Sequence, residues 1–484
     1  MPGGLRIRLM SHQHPARKLM TNFKRLFSEM LIVALVVTAA LGPYFLPLSV
    51  AGFNLFGFRQ LLPISLVLLP FLSPDFSWRS SWLTRIYFLL GVVWLAWGGI
   101  GLFWTPSFLE GSKELVSVGM GFLLAFLFLS LKAYSSQGIK ALAWGWTAAF
   151  LATSLVAGWE LMTREHLPSY FFLTTPSAAK SLIASTFGNP NGYGGFLVLS
   201  YAFLWMTFWS SRRFWVRLIP ASFLLITPFL LLQTSSRLAI LGNLAQMTLY
   251  GLLCLRRLRE NWIPLLFVSL SIIIFFMGFS NPKLKIHREM SYLTKEIKIR
   301  PTDATSRTDP QPGESRSKQV APRARPEAAK PNVRRVTSSQ IRMNLIVNGL
   351  WLVKRSWGLG VGPGAFEYYH EQGLVPRSTV RAKNESPIIN PHNLGIEIIS
   401  QYGLVVFILF AVWYAFLFYI AFEKRGDQTA IFLLLALVGY APVTAASSSY
   451  IDQQINWTFF ASILMLGVHL LSKDGHRRDM PGHE

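Results

Sequence analysis

Charge is what this chain has least of. Asp, Glu, Lys and Arg make up 14% of its 484 residues, against about a quarter in ordinary soluble domains, while 52% are hydrophobic. So few charges cannot cover a water-exposed surface of this size, and a string of soluble domains is excluded. Acidic groups are scarcer still, with 23 Asp and Glu against 46 Lys and Arg. The net charge of +23 would suit a nucleic-acid partner only if the cations formed one continuous surface. They fall instead in small clusters between apolar runs, so no nucleic-acid partner is expected. A single cysteine, Cys254, excludes an internal disulfide framework and a cysteine-based zinc site. What remains is an all-α polytopic membrane protein with the lipid bilayer as its solvent.

A helix needs roughly 20 largely apolar residues to cross the hydrocarbon core. About twelve segments meet or approach that length: 27–48, 56–73, 83–104, 114–131, 139–159, 192–211, 214–233, 236–254, 262–280, 402–422, 428–446 and 453–471. The first has no small-residue cleavage site behind it and reads as an uncleaved helix. The spans divide the chain into a basic tail (1–26), helices one to nine (27–280), a long loop (281–401), helices ten to twelve (402–471) and a second tail (472–484). Pro63, Pro70 and Pro228 inside spans are tolerable where neighbouring helices satisfy the freed backbone. Trp78, Trp82, Trp104, Trp209, Trp215 and Trp262 near span ends fit interfacial belts.

Short loops keep their cations on the cytoplasmic side. With the N-terminus inside, the inward tails and connections hold 21 Lys and Arg, and the outward short ones hold only Arg59, Lys113, Arg164, Lys180 and Arg237. Both termini are therefore expected in the cytoplasm, and the loop between helices nine and ten is extracytoplasmic. Nucleotide donors cannot reach it. Within the loop, 300–340 is rich in Pro, Ser, Arg and Lys and cannot bury enough surface to order itself, so disorder is expected there. The part from 341 to 401 is expected to be ordered. Ile341, Leu345, Val347, Leu350, Leu352 and Val353 pattern an amphipathic helix with Arg342 near its start. A glycine-rich run, Gly358 to Gly364, lets backbone approach closely, but it lacks the Lys-Ser/Thr ending of a nucleotide loop.

Three external groups could do chemistry: Arg237 at the outer end of span eight, Arg342, and His392 just ahead of span ten. A guanidinium stays charged and its paired donors match phosphate oxygens, and an imidazole can take a proton near neutrality. Taken singly, each has an ordinary explanation: arginines at span ends anchor to headgroups, and loop histidines are usually solvated. No second His or carboxylate stands at ligand spacing around His392, so no metal is expected.

Four motifs in order change that balance: Phe187-Gly-Asn-Pro-Asn-Gly192, Thr234-Ser-Ser-Arg-Leu-Ala239, Trp357-Gly-Leu-Gly-Val-Gly-Pro-Gly-Ala-Phe366, and Asn390-Pro-His-Asn-Leu-Gly-Ile-Glu397 continuing to Gly403. Over residues 180–470 the chain resembles the O-antigen ligase and bacterial polysaccharide polymerase superfamily, most nearly its Gram-positive teichuronic acid polymerase-like members. The basic 300–340 insert departs from the family pattern. The resemblance implies transfer of a glycan from an undecaprenyl-diphosphate carrier to an acceptor hydroxyl at the outer face of the cell membrane, without nucleotide, cofactor or metal. It implies His392 as general base, Arg237 and Arg342 on the donor diphosphate, and Asn189, Asn191, Asn393 and Glu397 as further substrate contacts. Polymerase, with another carrier-linked glycan as acceptor, is favoured over a ligase acting on a surface acceptor. An exporter with no bond-making would place polar groups near mid-bilayer. A peptidoglycan-polymerase type of enzyme would rely on an external carboxylate, and Asp is scarce in the ordered part of the loop.

Overall fold

The computed structural model describes residues 15–50, 53–72, 81–169, 172, 182–255, 262–280, 338–378, 390–445 and 449–478. The basic insert falls outside these as far as residue 337, as do residues 1–14, Trp78 and Lys180. The described chain is helical apart from one small hairpin. Its elements are α1 (Pro15–Leu41), strands β1 (Leu48–Val50) and β2 (Phe53–Leu55), α2 (Gly57–Leu72), α3 (Trp82–Gly101), α4 (Phe108–Ser130) and α5 (Ser136–Thr163). Then follow α6 (Pro190–Ser210), α7 (Phe214–Thr234), α8 (Arg237–Leu255), α9 (Trp262–Ser280), α10 (Ser338–Arg355), α11 (Ala365–Glu371), α12 (Leu394–Glu423), α13 (Gln428–Val443) and α14 (Gln454–Arg478).

Each expected span falls on one of α1–α9 or α12–α14. Among the described residues, eight helices (α1, α3, α4, α5, α7, α8, α12 and α14) are long and apolar enough to cross a bilayer, and α2, α9 and α13 are apolar but shorter. The chain is a multi-pass membrane protein. The first span ends sooner than hydropathy suggests: Gly42 takes φ +57, Pro43 follows, and the chain turns into the antiparallel hairpin with Leu48 opposite Leu55. Serine and asparagine caps begin several helices, as where Ser135 Oγ accepts the Gly138 N–H at 3.1 Å; such caps contribute about 1 kcal/mol each. Exposed Trp82, Trp215 and Trp262 stand at helix starts, as an interfacial belt requires.

The centre is α6, buried along almost its whole length and packed by α5, α7, α8 and α13. Small residues let backbones close in where lipid offers no hydrophobic gain. A Cβ on Gly194 would stand 3.0 Å from Ala239 and from Ser236, and one on Gly195 would stand 3.1 Å from Val443.

Alternate connections meet at opposite ends of the bundle. At one end the Thr186 hydroxyl donates to Ala40 O, Tyr44 to Pro168 O, and the Leu394 N–H to Thr444 O. At the other end Lys473 pairs with Asp427 at 2.7 Å and His469 bonds Tyr134 O. The first end also carries a small core of its own, built from Ile341, Leu345, Leu352, Val361, Ala365 and Phe366. Asn348 completes the buried face of α10; its Nδ2 donates to His370 Nε2 at 3.1 Å and to Arg377 O.

Candidate functional site

Three of the candidate motifs enter helices in the same way. Gly188 (φ +60), Ser235 (φ +53) and His392 (φ +51) adopt left-handed backbone two residues ahead of α6, α8 and α12. That conformation reverses the chain just before a helix begins. It is free for glycine and costs roughly 1–2 kcal/mol for other residues, so His392 is held there by its surroundings. Asn189 and Asn393 are the caps that follow: Asn189 Oδ1 accepts the Asn191 N–H at 2.8 Å, and Asn393 Oδ1 accepts the Ile396 N–H at 3.0 Å.

The three helix starts adjoin. The Gly194 contact seats the beginning of α6 on the α7–α8 turn, and Gly195 touches Val443 near the end of α13. The Leu394 N–H donates at 2.9 Å to Thr444 O, so α12 begins on the end of the same helix. Asn189, Asn191, Arg237, His392 and Asn393 thus occupy neighbouring element ends at one end of the bundle. Arg237 is exposed and His392 half-buried. Each helix start carries a partial positive charge, and three of them with a guanidinium favour an anion. Arg342 is also half-buried, but it stands on α10 in the small outer core, which reaches α12 through Gly349, packed directly against Ile396. Glu397 is 2% exposed and spends both oxygens on the α13–α14 connection, accepting from Ser449 Oγ at 2.7 Å and the Tyr450 N–H at 3.0 Å.

The glycine run closes on protein. The Val361 and Gly362 N–H groups donate to Ser400 O and Gln401 O, and the Leu404 N–H donates to Gly358 O. Trp97 and Trp104 donate to Leu359 O and Gly360 O, and the Gly364 N–H reaches Glu114 Oε2 at 2.9 Å. Close backbone approach is used here to fasten α3 and α4 to the kink in α12.

Beside this joint lies a cavity of about 460 Å³, with Arg59 on α2, Glu110, Lys113 and Glu114 on α4, Glu367 on α11 and Asp452 in the α13–α14 connection. Lys113 pairs with Glu110 at 2.8 Å. Tyr402 Oη donates to Glu114 Oε1 at 2.7 Å. Burial, with Asp452, Glu371 and Glu110 nearby, raises the Glu367 carboxyl to about 7. Asp452 opens onto this cavity, yet the protein packed around it still raises its carboxyl above the usual range, against the pull of Arg59. His370 is lowered by burial, with its Nδ1 on Phe366 O at 2.8 Å. Sequence reasoning missed Glu110, Glu114 and Asp452 because it weighed only carboxylates inside the loop, and it passed over Glu367 within the loop itself. Acidic residues at the outer ends of short spans, in a chain so poor in them, were the available signal.

Residues 221–411 match the sequence model of a family described as O-Antigen ligase. The matched stretch contains Arg237, Arg342, His392, Asn393 and Glu397. The chain is also 22% identical over 398 residues to the teichuronic acid biosynthesis protein TuaE of Bacillus subtilis (strain 168), covering 80% of this chain and 72% of that protein.

Proposed function

From the O-antigen ligase and polysaccharide polymerase superfamily, which both matches support, we propose that this membrane protein polymerises undecaprenyl-diphosphate-linked glycan units at the outer face of the cell membrane. The end bearing His392 is the extracytoplasmic end, and both termini are cytoplasmic. An acceptor hydroxyl attacks the anomeric carbon of the donor glycan. The new C–O bond forms as the bond to the carrier diphosphate breaks, His392 takes the hydroxyl proton, and undecaprenyl diphosphate leaves. Arg237 and Arg342 hold the charge that gathers on the leaving diphosphate. Fixed cationic donors at a low-dielectric membrane boundary stabilise such charge more than water does. No nucleotide enters the step.

The observation that carries this reading is the junction of three helix starts, Arg237 and His392 at one end of the bundle. The relative's role in teichuronic acid biosynthesis favours polymer synthesis. Transfer to a surface acceptor would use the same groups and differ only in the hydroxyl. Gln246, deep in α8, donates to Val198 O and Leu435 O, so this interior polar side chain ties backbones together, which does not favour an exporter.

The test is reconstitution of the purified protein in vesicles with a carrier-linked oligosaccharide and no nucleotide. Chain growth is expected. His392→Ala and Arg237→Ala should each lower it by at least 100-fold, in line with loss of a general base or charge stabiliser, while inserting normally. Unchanged polymer length in both variants overturns the assignment.

A further inference from the structure

The cavity beside the glycine joint continues as a groove. On α2, Arg59, Leu62, Pro63 and Leu66 line it at helical spacing, and on α4, Lys113, Val116, Met120 and Leu123 do the same. At about 1.5 Å per residue these stripes run roughly 10 and 15 Å along their helices. Pro63, Val116 and Leu123 are exposed on the flank of the bundle, so the groove opens sideways where lipid would lie.

The two ends of the groove differ in chemistry. The deep walls are aliphatic, as a hydrocarbon chain requires. The head end is mixed in sign. Arg59 Nη1 donates to Asn54 O at 3.1 Å, but its buried Nε makes no hydrogen bond among the described residues. Glu367 and Asp452 face the same space, with Asp452 exposed to it. Carboxylates accept from sugar hydroxyls and repel a bare anionic headgroup, while a guanidinium donates to phosphate oxygens. The whole hollow, head end and aliphatic walls together, measures near 460 Å³, within the range of small-molecule sites. Among the described residues no group of three or more His, Cys, Asp and Glu is arranged to hold a metal ion.

The groove also touches the segment bearing His392. Asn390 Nδ2 donates to Glu367 Oε1 at 2.8 Å, two residues before that histidine. The same segment, through Leu394, rests on the element ends that adjoin Arg237. It therefore separates a cationic side from a side rich in carboxylates.

We propose that the α2–α4 groove is the acceptor site, holding a second carrier-linked glycan with its lipid between the helices, its diphosphate on Arg59 and its sugar hydroxyls on Glu367 and Asp452. This rests on the polymerase reading above. It gives donor and acceptor separate lipid slots on either side of His392.

The experiment uses the full chain in nanodiscs with a synthetic undecaprenyl-diphosphate disaccharide carrying a diazirine in its first isoprene units. His392→Ala is used so that no turnover occurs. Labelled peptides are expected from 57–72 and 108–130. The unlabelled glycolipid should compete at least tenfold better than undecaprenyl diphosphate, and phosphatidylglycerol should not compete. Asp452→Asn and Glu367→Gln should erase the preference for the sugar, and Arg59→Ala should weaken both diphosphates. Labelling confined to other helices, or equal competition by phosphatidylglycerol, overturns the site. Growth assays separate the two proposals. Normal elongation by wild type with no label in the groove removes the acceptor site alone. Competed groove labelling without elongation keeps a glycolipid site and removes the polymerase reading.

Discussion

Glu367 and His370 sit three residues apart on α11, and burial shifts both toward their neutral forms. For Glu367 the folded value, about 7, lies above the ordinary 4.5. Its contribution to stability is complete below 4.5 and is lost as pH rises through 7. For His370 the folded value is depressed below 6.5, so its contribution is present above 6.5 and is lost as pH falls below it. The outer core should therefore be most stable in mildly acidic solution between these limits. Thermal melts from pH 5 to 8 check this. Glu367→Gln should shrink the decline on the alkaline side, to which Asp452 also contributes, and leave the acid side alone, and an identical alkaline slope in wild type and variant would exclude Glu367 as a source. Neither group announced itself in sequence, since a carboxylate in a loop helix looks solvated until Asp452 and α4 are packed against it.

At the scale of elements, the decisive joint is Gly403. It interrupts α12 with φ +83 and ψ 179, a region essentially confined to glycine. A Cβ there would stand 2.5 Å from Leu359 O and 2.6 Å from Gly358 O. Gly403→Ala should cost about 1–3 kcal/mol from backbone strain alone, with the clash added. Hydrogen exchange should rise at 358–364 and at the start of α12, while α6 and α14 keep their protection. Unaltered exchange in that run would mean the kink does not depend on glycine. The helix itself was legible from its apolar run, and the stretch leading into it, Asn390 to Gly403, from its motif. The break between them was not, because Gly403 in an apolar sequence reads equally well as an uninterrupted helix.

For the whole molecule, the proposed orientation rests on cation placement and has a direct test. Cys254 is the single native cysteine and can be replaced. Gln372→Cys, exposed after α11, should react with a membrane-impermeant thiol reagent in intact cells. Gly426→Cys, exposed between α12 and α13, should react only after permeabilisation. The opposite pattern would put His392 on the cytoplasmic side and end the lipid-linked mechanism proposed here.

Sequence alone determined that the chain lives in a bilayer, where its helices run, and which motifs deserve chemical attention. Those properties depend on the composition of one segment at a time, since a helix partitions into lipid by its own apolar length. Tertiary structure decided which ends meet. Glu114 is 288 residues from Tyr402 and 250 from Gly364, and nothing local to α4 marks it as a partner of either. Only packing across those distances gathers scattered acidic groups around one cavity, because a carboxylate's environment is made by its neighbours in space.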